Sequence, residues 1–325
     1  MGSHLLLELL RSGRQVRALK RRESSLLQVS RTFSYYEPEA EALFSRIEWV
    51  DGAMEDIYSL LDAMDGADEV YHCAGMVSFH PKDKKELFLT NAEGTSNIVS
   101  AALEKNIRKF CHVSSIAALG LDGNLITGET FWKSSAENSS YAISKYGGER
   151  EIWRGIEEGL NAVIVNPSVI LGPGNWNTGS TALFRKSYHG LKFYTEGTTG
   201  FVDVRDVAAI MTLLMNKNIL RQRFIVSSEN KSFREFFDFA NTCFHQPKTF
   251  LKTGKGLSEL ACRTEIIRSS ISRYKPLVTK ETARASQLKK CYSNTKLKTA
   301  LDYSFIPVEQ SIKDTCSLLW KEWKN

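Results

Sequence analysis

The alternation of short apolar runs with longer amphipathic stretches, over roughly the first 230 residues, most constrains the fold of this chain. Stretches such as Thr95–Lys105 carry apolar residues at helical spacing. Ala162–Pro167 is apolar without alternation, which is typical of a parallel strand covered by helices on both faces. The runs predicted as strands are Gln15–Lys20, Arg46–Val50, Glu69–Ala74, Lys109–Ser115, Ala162–Pro167 and Arg223–Ser227. This pattern predicts an α/β fold with a doubly wound parallel sheet.

The pattern changes after about Ser228, where helical stretches dominate. The segment Leu171–Thr199, rich in Gly, Asn and Thr, also interrupts the alternation. We therefore predict a wound-sheet domain of residues 1–170, to which 201–228 return. A smaller, mainly helical part, 171–200 and 229–325, is expected to cover the carboxyl edge of the sheet, where such folds bind ligands. The predicted helices there are Phe233–Phe244, Leu257–Ser272 and Val308–Lys324, with loops at Gln246–Lys255 and Tyr274–Val278.

Composition and charge exclude several classes of protein. No apolar run approaches the ~20 residues that cross a bilayer, and the start does not resemble a signal peptide. The six cysteines show no CxxC pair and no companion histidine at zinc spacing, which favours a reduced, cytoplasmic protein without a metal site. The net charge of +6 comes from basic residues scattered singly among apolar ones, so a nucleic-acid partner is not predicted.

The amino-terminal segment departs from what such a fold requires. A parallel dinucleotide fold opens with a strand, a Gly-rich turn and a helix. This chain opens with a predicted helix, His4–Arg11, whose leucines share one face and which Gly13 ends. We expect the first strand to be absent and only Gly2 to stand in place of the turn.

Tyr141 and Lys145 are the first candidates for chemistry. Their i, i+4 spacing puts a phenol and an ammonium on one face of a helix. A neighbouring cation is expected to lower the tyrosine pKa from ~10, so that the phenol can exchange a proton with a carbonyl or alcohol oxygen.

Sequence context separates this pair from two others with the same spacing. Tyr141 lies between a strand that ends at Ser115 and a later strand that ends near Ser168. Both strand ends open on the ligand-binding edge of a parallel sheet, so Ser115 is expected to hydrogen-bond the oxygen that Tyr141 protonates. The other pairs, predicted to be surface residues, are Tyr188 with Lys192 and Tyr292 with Lys296.

Six ordered blocks of sequence carry a family resemblance from Gly2 to about Phe305. They are Val70–Gly75, Asn91–Thr95, His112–Ser115, Tyr141–Lys145, Asn166–Pro173 and Val202–Ala208. With them the chain resembles the extended short-chain dehydrogenase/reductases, also described as the NAD-dependent epimerase/dehydratase family. Among these it is most similar to the branch of dihydroflavonol reductases and 3β-hydroxysteroid dehydrogenases.

The resemblance implies an NAD(P)-dependent oxidoreductase that moves hydride between nicotinamide and a carbonyl or secondary alcohol. It implies that Tyr141 is the general acid/base, that Lys145 lowers its pKa and holds the nicotinamide ribose, and that Ser115 polarises the substrate. A nucleotide-sugar epimerase or dehydratase is an alternative, although Ile116 and Ala117 after Ser115 favour simple redox chemistry. A non-catalytic dinucleotide-binding protein, or an inactive chain lacking its first strand, are the others.

The resemblance also implies the cofactor-binding residues, which are Gly2, Lys20, Arg21, His72, Cys73, Ala74, Gly75, Asn91, Tyr141, Lys145, Pro167 and Ser168. Arg21 aligns with the arginine that meets the 2′-phosphate of NADP in the dihydroflavonol-reductase-like branch. No acidic residue precedes Glu23 at the end of this strand, which favours NADP(H), with NAD as the alternative. Ala53 stands where the family usually has an aspartate that contacts adenine. The expected partner is a small-molecule substrate, and a homodimer is left open.

Other residues have less specific interpretations. His72 and His112 lie in buried-looking strands and are interpreted as hydrogen-bonded core residues. Trp320 and Trp323 are interpreted as helix packing. Arg205 either reaches an anionic substrate or pairs with Asp203 or Asp206.

Overall fold

The computed structural model describes residues 1–121, 123–253 and 279–324; the predicted helix Leu257–Ser272 and loop Tyr274–Val278 lie outside these ranges. The strands are β1 Val16–Lys20, β2 Ile47–Asp51, β3 Glu69–His72, β4 Lys109–Val113, β5 Leu125–Ile126, β6 Ala162–Pro167, β7 Val169–Leu171, β8 Phe193–Tyr194, β9 Thr198–Asp203, β10 Gln222–Val226, β11 Glu229–Ser232, β12 Leu251–Lys252 and β13 Cys291–Tyr292. The α-helices are α1 Gly2–Arg11, α2 Leu27–Ser34, α3 Ala40–Phe44, α4 Ile57–Met64, α5 Lys84–Phe88, α6 Gly94–Glu104, α7 Ser140–Glu157, α8 Thr181–Tyr188, α9 Val204–Asn216, α10 Phe233–Cys243, α11 Lys280–Ala285, α12 Thr295–Leu301 and α13 Val308–Lys324.

The predicted strands form parallel sheets, which confirms the fold class. Four of them make one sheet in the order β10-β6-β4-β3, and β1 pairs with β2 in a second, two-stranded sheet. In the part of the chain that the structure describes, no ladder joins these two sheets. The Arg14 guanidinium bridges them by donating to the Glu69 carboxylate at 2.6 Å. Strands β3, β4 and β6 end side by side at one edge.

Helices cover both faces of the four-stranded sheet, which explains why its strands are apolar throughout. Every residue of β4 and β6 is buried. One face packs on α1 and α9, through residues that include Leu5, Leu9, Val207 and Met211. The other packs on α6 and α7, through residues that include Ile98, Val99, Ile152 and Ile156. Each such side chain contributes about 1.5–3 kcal/mol on burial.

A smaller mixed sheet leads into the carboxyl-terminal helices. β9 pairs parallel with β7 and antiparallel with β11, while β8 pairs with β12 and β5 with β13. Helices α8, α10 and α13 pack there around an aromatic cluster, Phe184, Phe201, Phe236 and Phe244. Trp320 and Trp323 pack against the same cluster, as predicted.

The two tyrosines predicted to lie on the surface are corrections. The Tyr188 ring packs at 4.3 Å from the Trp323 ring and is half-buried. Tyr292 is only 8% exposed and packs on Ile126 and Ile225, because β13 extends the fold beside β5. Tyrosine spacing alone carried no information about burial at these positions.

The alternatives for Arg205 are resolved in favour of ion pairing. Its guanidinium donates to the carboxylates of Asp203 at 2.7 Å and Asp314 at 2.8 Å. Asp206 instead accepts hydrogen bonds from the Tyr303 hydroxyl at 2.8 Å and the Ile306 amide at 3.0 Å. Arg205 therefore ties β9 and α9 to α13.

Candidate active site

Helix α7 brings Tyr141 and Lys145 to the carboxyl end of β4. The helix begins after Ser139, whose hydroxyl accepts from the Ala142 amide and so caps it. The Lys145 ammonium is buried and donates to the Val113 carbonyl at 2.9 Å. The Tyr141 and Ser115 hydroxyls are hydrogen-bonded to each other. The predicted Ser115, Tyr141 and Lys145 therefore meet at one edge of the sheet.

The expected acidic Tyr141 is a correction. Burial raises the pKa of Tyr141 above its usual value, and the hydrogen bond with Ser115 lowers it by less. Lys145 does not make this phenol acidic, because its ammonium is turned to the Val113 carbonyl. The phenol therefore stays protonated at neutral pH, which is the form that donates a proton.

Burial acts on Lys145 as well. Desolvation lowers the pKa of Lys145 to about 8, opposed by the negative charge of Glu149 and by Cys73. A buried ammonium with a pKa near neutrality is sensitive to every charge placed around it.

Asn91 connects the end of β3 to helix α7. It lies in a π-helical turn, Leu89–Glu93, inside the continuous helix that runs from α5 to α6. Its amide nitrogen donates to the Met76 carbonyl and the Ser144 hydroxyl, both at 2.9 Å, and its oxygen accepts from the Met76 amide at 2.8 Å. The segment after β3 is thereby held beside the catalytic helix.

The predicted segment His72–Gly75 ends β3 at the same edge. Ala74 and Gly75 are exposed, whereas His72 is buried and its Nε2 is 2.9 Å from the Thr95 hydroxyl. Burial lowers the pKa of His72 to about 3 and raises that of the Cys73 thiol to about 11. Ala74 and Gly75 are thus the members of this segment that face open space.

His112 departs from its interpretation as a hydrogen-bonded core residue. It is 1% exposed, and neither ring nitrogen has a hydrogen-bond partner among the described residues. Its ring instead packs on that of His72, with centroids 4.8 Å apart. Burial accordingly holds the pKa of His112 well below its usual range, so this ring is neutral.

Pro167 and Ser168 follow β6 beside the end of β4, and both are buried. The Ser168 hydroxyl donates to the Val226 carbonyl at 3.4 Å, so it points toward β10. Gly200 approaches closely, because an added Cβ there would lie 2.9 Å from the Ser168 Cβ. The two residues therefore form the wall of the edge next to Ser115.

The remaining predicted cofactor residues lie on the β1 side. Gly2 begins α1, and the amino group of Met1 interacts electrostatically with Cys73 at the end of β3. The Lys20 ammonium donates to the Asp51 carboxylate at the ends of β1 and β2. Arg21 follows β1 and is exposed. The structure places these residues at the same edge but not in contact with the Ser115–Tyr141 pair.

A nicotinamide dinucleotide fits this edge on two observations. At Gly75 an added Cβ would lie 3.2 Å from the Asn91 oxygen and 3.6 Å from the Lys145 ammonium, so bare backbone and a buried cation line the same space. The amino-terminal end of α1 lies next to the end of β3, and the free N–H groups of a helix start suit a pyrophosphate. Lys145 would hold the ribose, and the start of α1 the phosphates.

Sequence reasoning assigned no role to Glu149, although it continues the Tyr141, Lys145 spacing by one more turn. Its carboxylate is 1% exposed and lies behind the end of β4. The signal was available in the i, i+4, i+8 pattern, but a glutamate on a helix is usually solvated and its buried partners come from distant strands.

Comparison with known proteins decides the family. The model of the NAD dependent epimerase/dehydratase family matches residues 1–226. The chain belongs to this family. It is therefore a nicotinamide-dependent enzyme of the extended short-chain type, and the resemblance described above is confirmed.

The family's relatives of this chain carry reductase names among others. The chain is 30% identical over 235 residues to sterol demethylase protein B of Methylococcus capsulatus, covering 71% of this chain and 67% of that protein. It is 30% identical over 240 residues to a putative dihydroflavonol 4-reductase of Synechocystis, covering 71% and 66%. Cinnamoyl-CoA reductase 1 of Petunia hybrida is 26% identical, covering 86% and 79%. The match thus spans about two thirds of the first two relatives.

Solved structures of the family show the same fold. The crystal structure of gox2253 has a TM-score of 0.79 at 26% identity and covers 99% of this chain and 95% of its own. UDP-glucose 4-epimerase of Thermotoga maritima has a TM-score of 0.75 at 16% identity, covering 99% and 96%. The second likeness concerns the fold alone.

Two searches of the described residues complete the site. Across 1–121, 123–253 and 279–324, no helix is long and apolar enough to cross a membrane. In the same ranges, no group of three or more His, Cys, Asp and Glu side chains is arranged to hold a metal ion.

Proposed function

We propose that the chain is an NADP(H)-dependent reductase that delivers hydride to the carbonyl carbon of a small molecule. The hydrogen bond between the Ser115 and Tyr141 hydroxyls, at a strand end beside the buried Lys145 ammonium, carries this proposal. The reductase names of several relatives support it.

The chain's own residues handle the carbonyl oxygen. The bound nicotinamide supplies the hydride. The Ser115 hydroxyl donates a hydrogen bond to the substrate oxygen, and Tyr141, kept protonated by burial, gives its proton to the alkoxide that develops there. The Lys145 ammonium lies one helical turn away and stabilises the phenolate that remains.

The preference for NADP(H) is supported by the charges at the end of β1. Arg21 is exposed there, and Lys20 lies beside it with its ammonium on the Asp51 carboxylate. An arginine fork suits a phosphate, whereas the ribose diol of NAD calls for a carboxylate at this strand end. The nearest acidic residue along the chain is Glu23.

The test is turnover by the full chain with NADPH. Candidate substrates are a dihydroflavonol and a cinnamoyl thioester, with UDP-glucose as the epimerase arm, and NADPH absorbance and product are followed. Tyr141→Phe is expected to bind NADPH normally and to lose about 10²–10⁴-fold in turnover, the usual contribution of a general acid. The matched control is Tyr146→Phe, on the same helix, whose ring stacks on Trp132.

Three outcomes would overturn the proposal. One is a Tyr141→Phe variant as active as the wild type. Another is UDP-sugar epimerisation without net NADPH consumption, which would make the chain an epimerase. The third is NADPH binding with no turnover of any carbonyl compound, which would favour a non-catalytic dinucleotide-binding protein.

We further propose a cytoplasmic protein that acts on a small molecule, binds no nucleic acid and forms a homodimer. The thiols of Cys243 and Cys316 are hydrogen-bonded to each other without a disulfide, which supports a reducing compartment. Light scattering on the purified chain tests the dimer.

A further inference from the structure

Helix α7 buries a carboxylate directly behind the candidate active site. Glu149 lies on the same helical face as Tyr141 and Lys145, and it is 1% exposed. A buried charge persists only where cations and hydrogen-bond donors surround it. The partners of Glu149 therefore indicate what it does.

Three elements of the sheet converge on this carboxylate. Its Oε2 accepts from the Ser114 hydroxyl at 2.6 Å and from the Asn166 amide at 2.7 Å. Its Oε1 accepts from the Arg223 guanidinium at 3.0 Å and the Trp153 indole at 3.4 Å. Ser114 follows β4, Asn166 belongs to β6 and Arg223 to β10, so one side chain ties three neighbouring strands to α7.

The network reaches the reacting group through one more bond. The Asn166 amide that donates to Glu149 also donates to the Ser115 carbonyl, at 3.0 Å. Together with the bond from Lys145 to the Val113 carbonyl, this holds three consecutive residues at the end of β4. The Ser115 hydroxyl is thereby kept in place for Tyr141.

The charge of Glu149 also acts on Lys145. The groups that face Lys145 are Tyr141 and Glu149 on α7, Cys73 and His72 on β3 and beyond, and His112 on β4. Burial keeps the His72 and His112 rings neutral and the Cys73 thiol protonated. Glu149 is therefore the negative charge that opposes desolvation of the ammonium.

We propose that Glu149 is a positioning residue of the active site, which fixes Ser115 through Asn166 and supplies the counter-charge that keeps Lys145 protonated. The second role follows from charge rather than shape, so it separates this proposal from a purely structural role. The catalytic part of the proposal rests on the proposed function.

The test compares Glu149→Gln, which removes the charge at nearly constant volume, with Ser114→Ala, which removes one hydrogen bond and no charge. The readout is the titration midpoint of Lys145 in the free protein, followed by NMR of 15N-labelled lysine. Glu149→Gln is expected to lower this midpoint by about one pH unit, a shift typical of a nearby charge, and Ser114→Ala to leave it unchanged. Glu149→Asp, which restores the charge, is expected to return the midpoint toward the wild-type value.

Activity adds a second readout with NADPH and an active substrate. Glu149→Gln is expected to lower kcat at least tenfold, with the alkaline limb of the pH profile moved to lower pH. An unchanged Lys145 midpoint in Glu149→Gln would overturn the proposal, and if that variant does not fold, an Asp variant with a midpoint far below the wild type would do the same. A shifted midpoint in a chain without activity would leave the inference standing and defeat the proposed function.

Discussion

The ends of β4 and β1 lie at the same edge but are built differently. At the end of β4, Val113 and Ser115 are fixed by buried donors from α7 and β6. At the end of β1, Lys20 meets Asp51 in a pair that reaches solvent, and Arg21 is exposed. The proton-transfer groups are thus part of the protein core, whereas the groups that would select the coenzyme can change without disturbing it.

The tight packing behind β4 predicts the largest effect. An added Cβ at Gly148 would overlap the carbonyl oxygen of Asn91, which is backbone and cannot move aside easily. Gly148→Ala is expected to lower the free energy of unfolding by about 3 kcal/mol, measured by urea unfolding. Gly147→Ala is the matched control, because its Cβ would lie 3.1 Å from the Ala92 Cβ, and a loss below about 1 kcal/mol is expected. Equal losses would contradict the close approach.

The buried ammonium predicts a pH effect on stability. With the pKa of Lys145 at about 8 in the folded protein and its ordinary value of 10.5 in the unfolded chain, the unfolded chain binds more protons between these pH values. The contribution of Lys145 to stability therefore rises with pH across that window, by roughly 2 kcal/mol. The measurement is the difference in free energy of unfolding between wild type and Lys145→Met from pH 7.5 to 10. A difference that is constant with pH would mean that Lys145 titrates normally.

The exposed end of β1 predicts an effect on coenzyme choice alone. Arg21→Ala is expected to weaken NADPH binding about tenfold, the value of one charge-assisted hydrogen bond, and to leave NADH binding unchanged. Fluorescence titration with both coenzymes measures this, and Arg22→Ala serves as the neighbouring control. Equal weakening for both coenzymes would remove Arg21 from the 2′-phosphate site.

The smallest effect is expected from Asp51. Its carboxylate occupies the Lys20 ammonium and adds a negative charge near the proposed 2′-phosphate site. Asp51→Asn is expected to tighten NADPH binding about two- to threefold, as removal of one screened surface charge does. Glu48→Gln, which breaks the pair with Arg17 on the same two strands, is the control and is expected to change nothing. Weaker NADPH binding by Asp51→Asn would show that the carboxylate positions Lys20.

The sequence predicted the strands and the Ser115, Tyr141 and Lys145 set because these depend on local periodicity and spacing. Burial was harder, since Tyr292 becomes buried only through β5 and β13, which are far apart in the chain. The protonated state of Tyr141 and the role of Glu149 depend on where Lys145 and Arg223 point, which no spacing rule contains. Interactions between distant segments therefore account for most of what was missed.

The π-helical turn at Leu89–Glu93 has an evolutionary consequence. Such a turn accommodates one extra residue within a helix, and here it orients Asn91 toward both Met76 and Ser144. Deleting one residue would restore a regular α-helix and rotate the preceding side chains by about 100° relative to those that follow. A single codon loss would thus disconnect two segments that both border the cofactor space, while the helix itself remained intact.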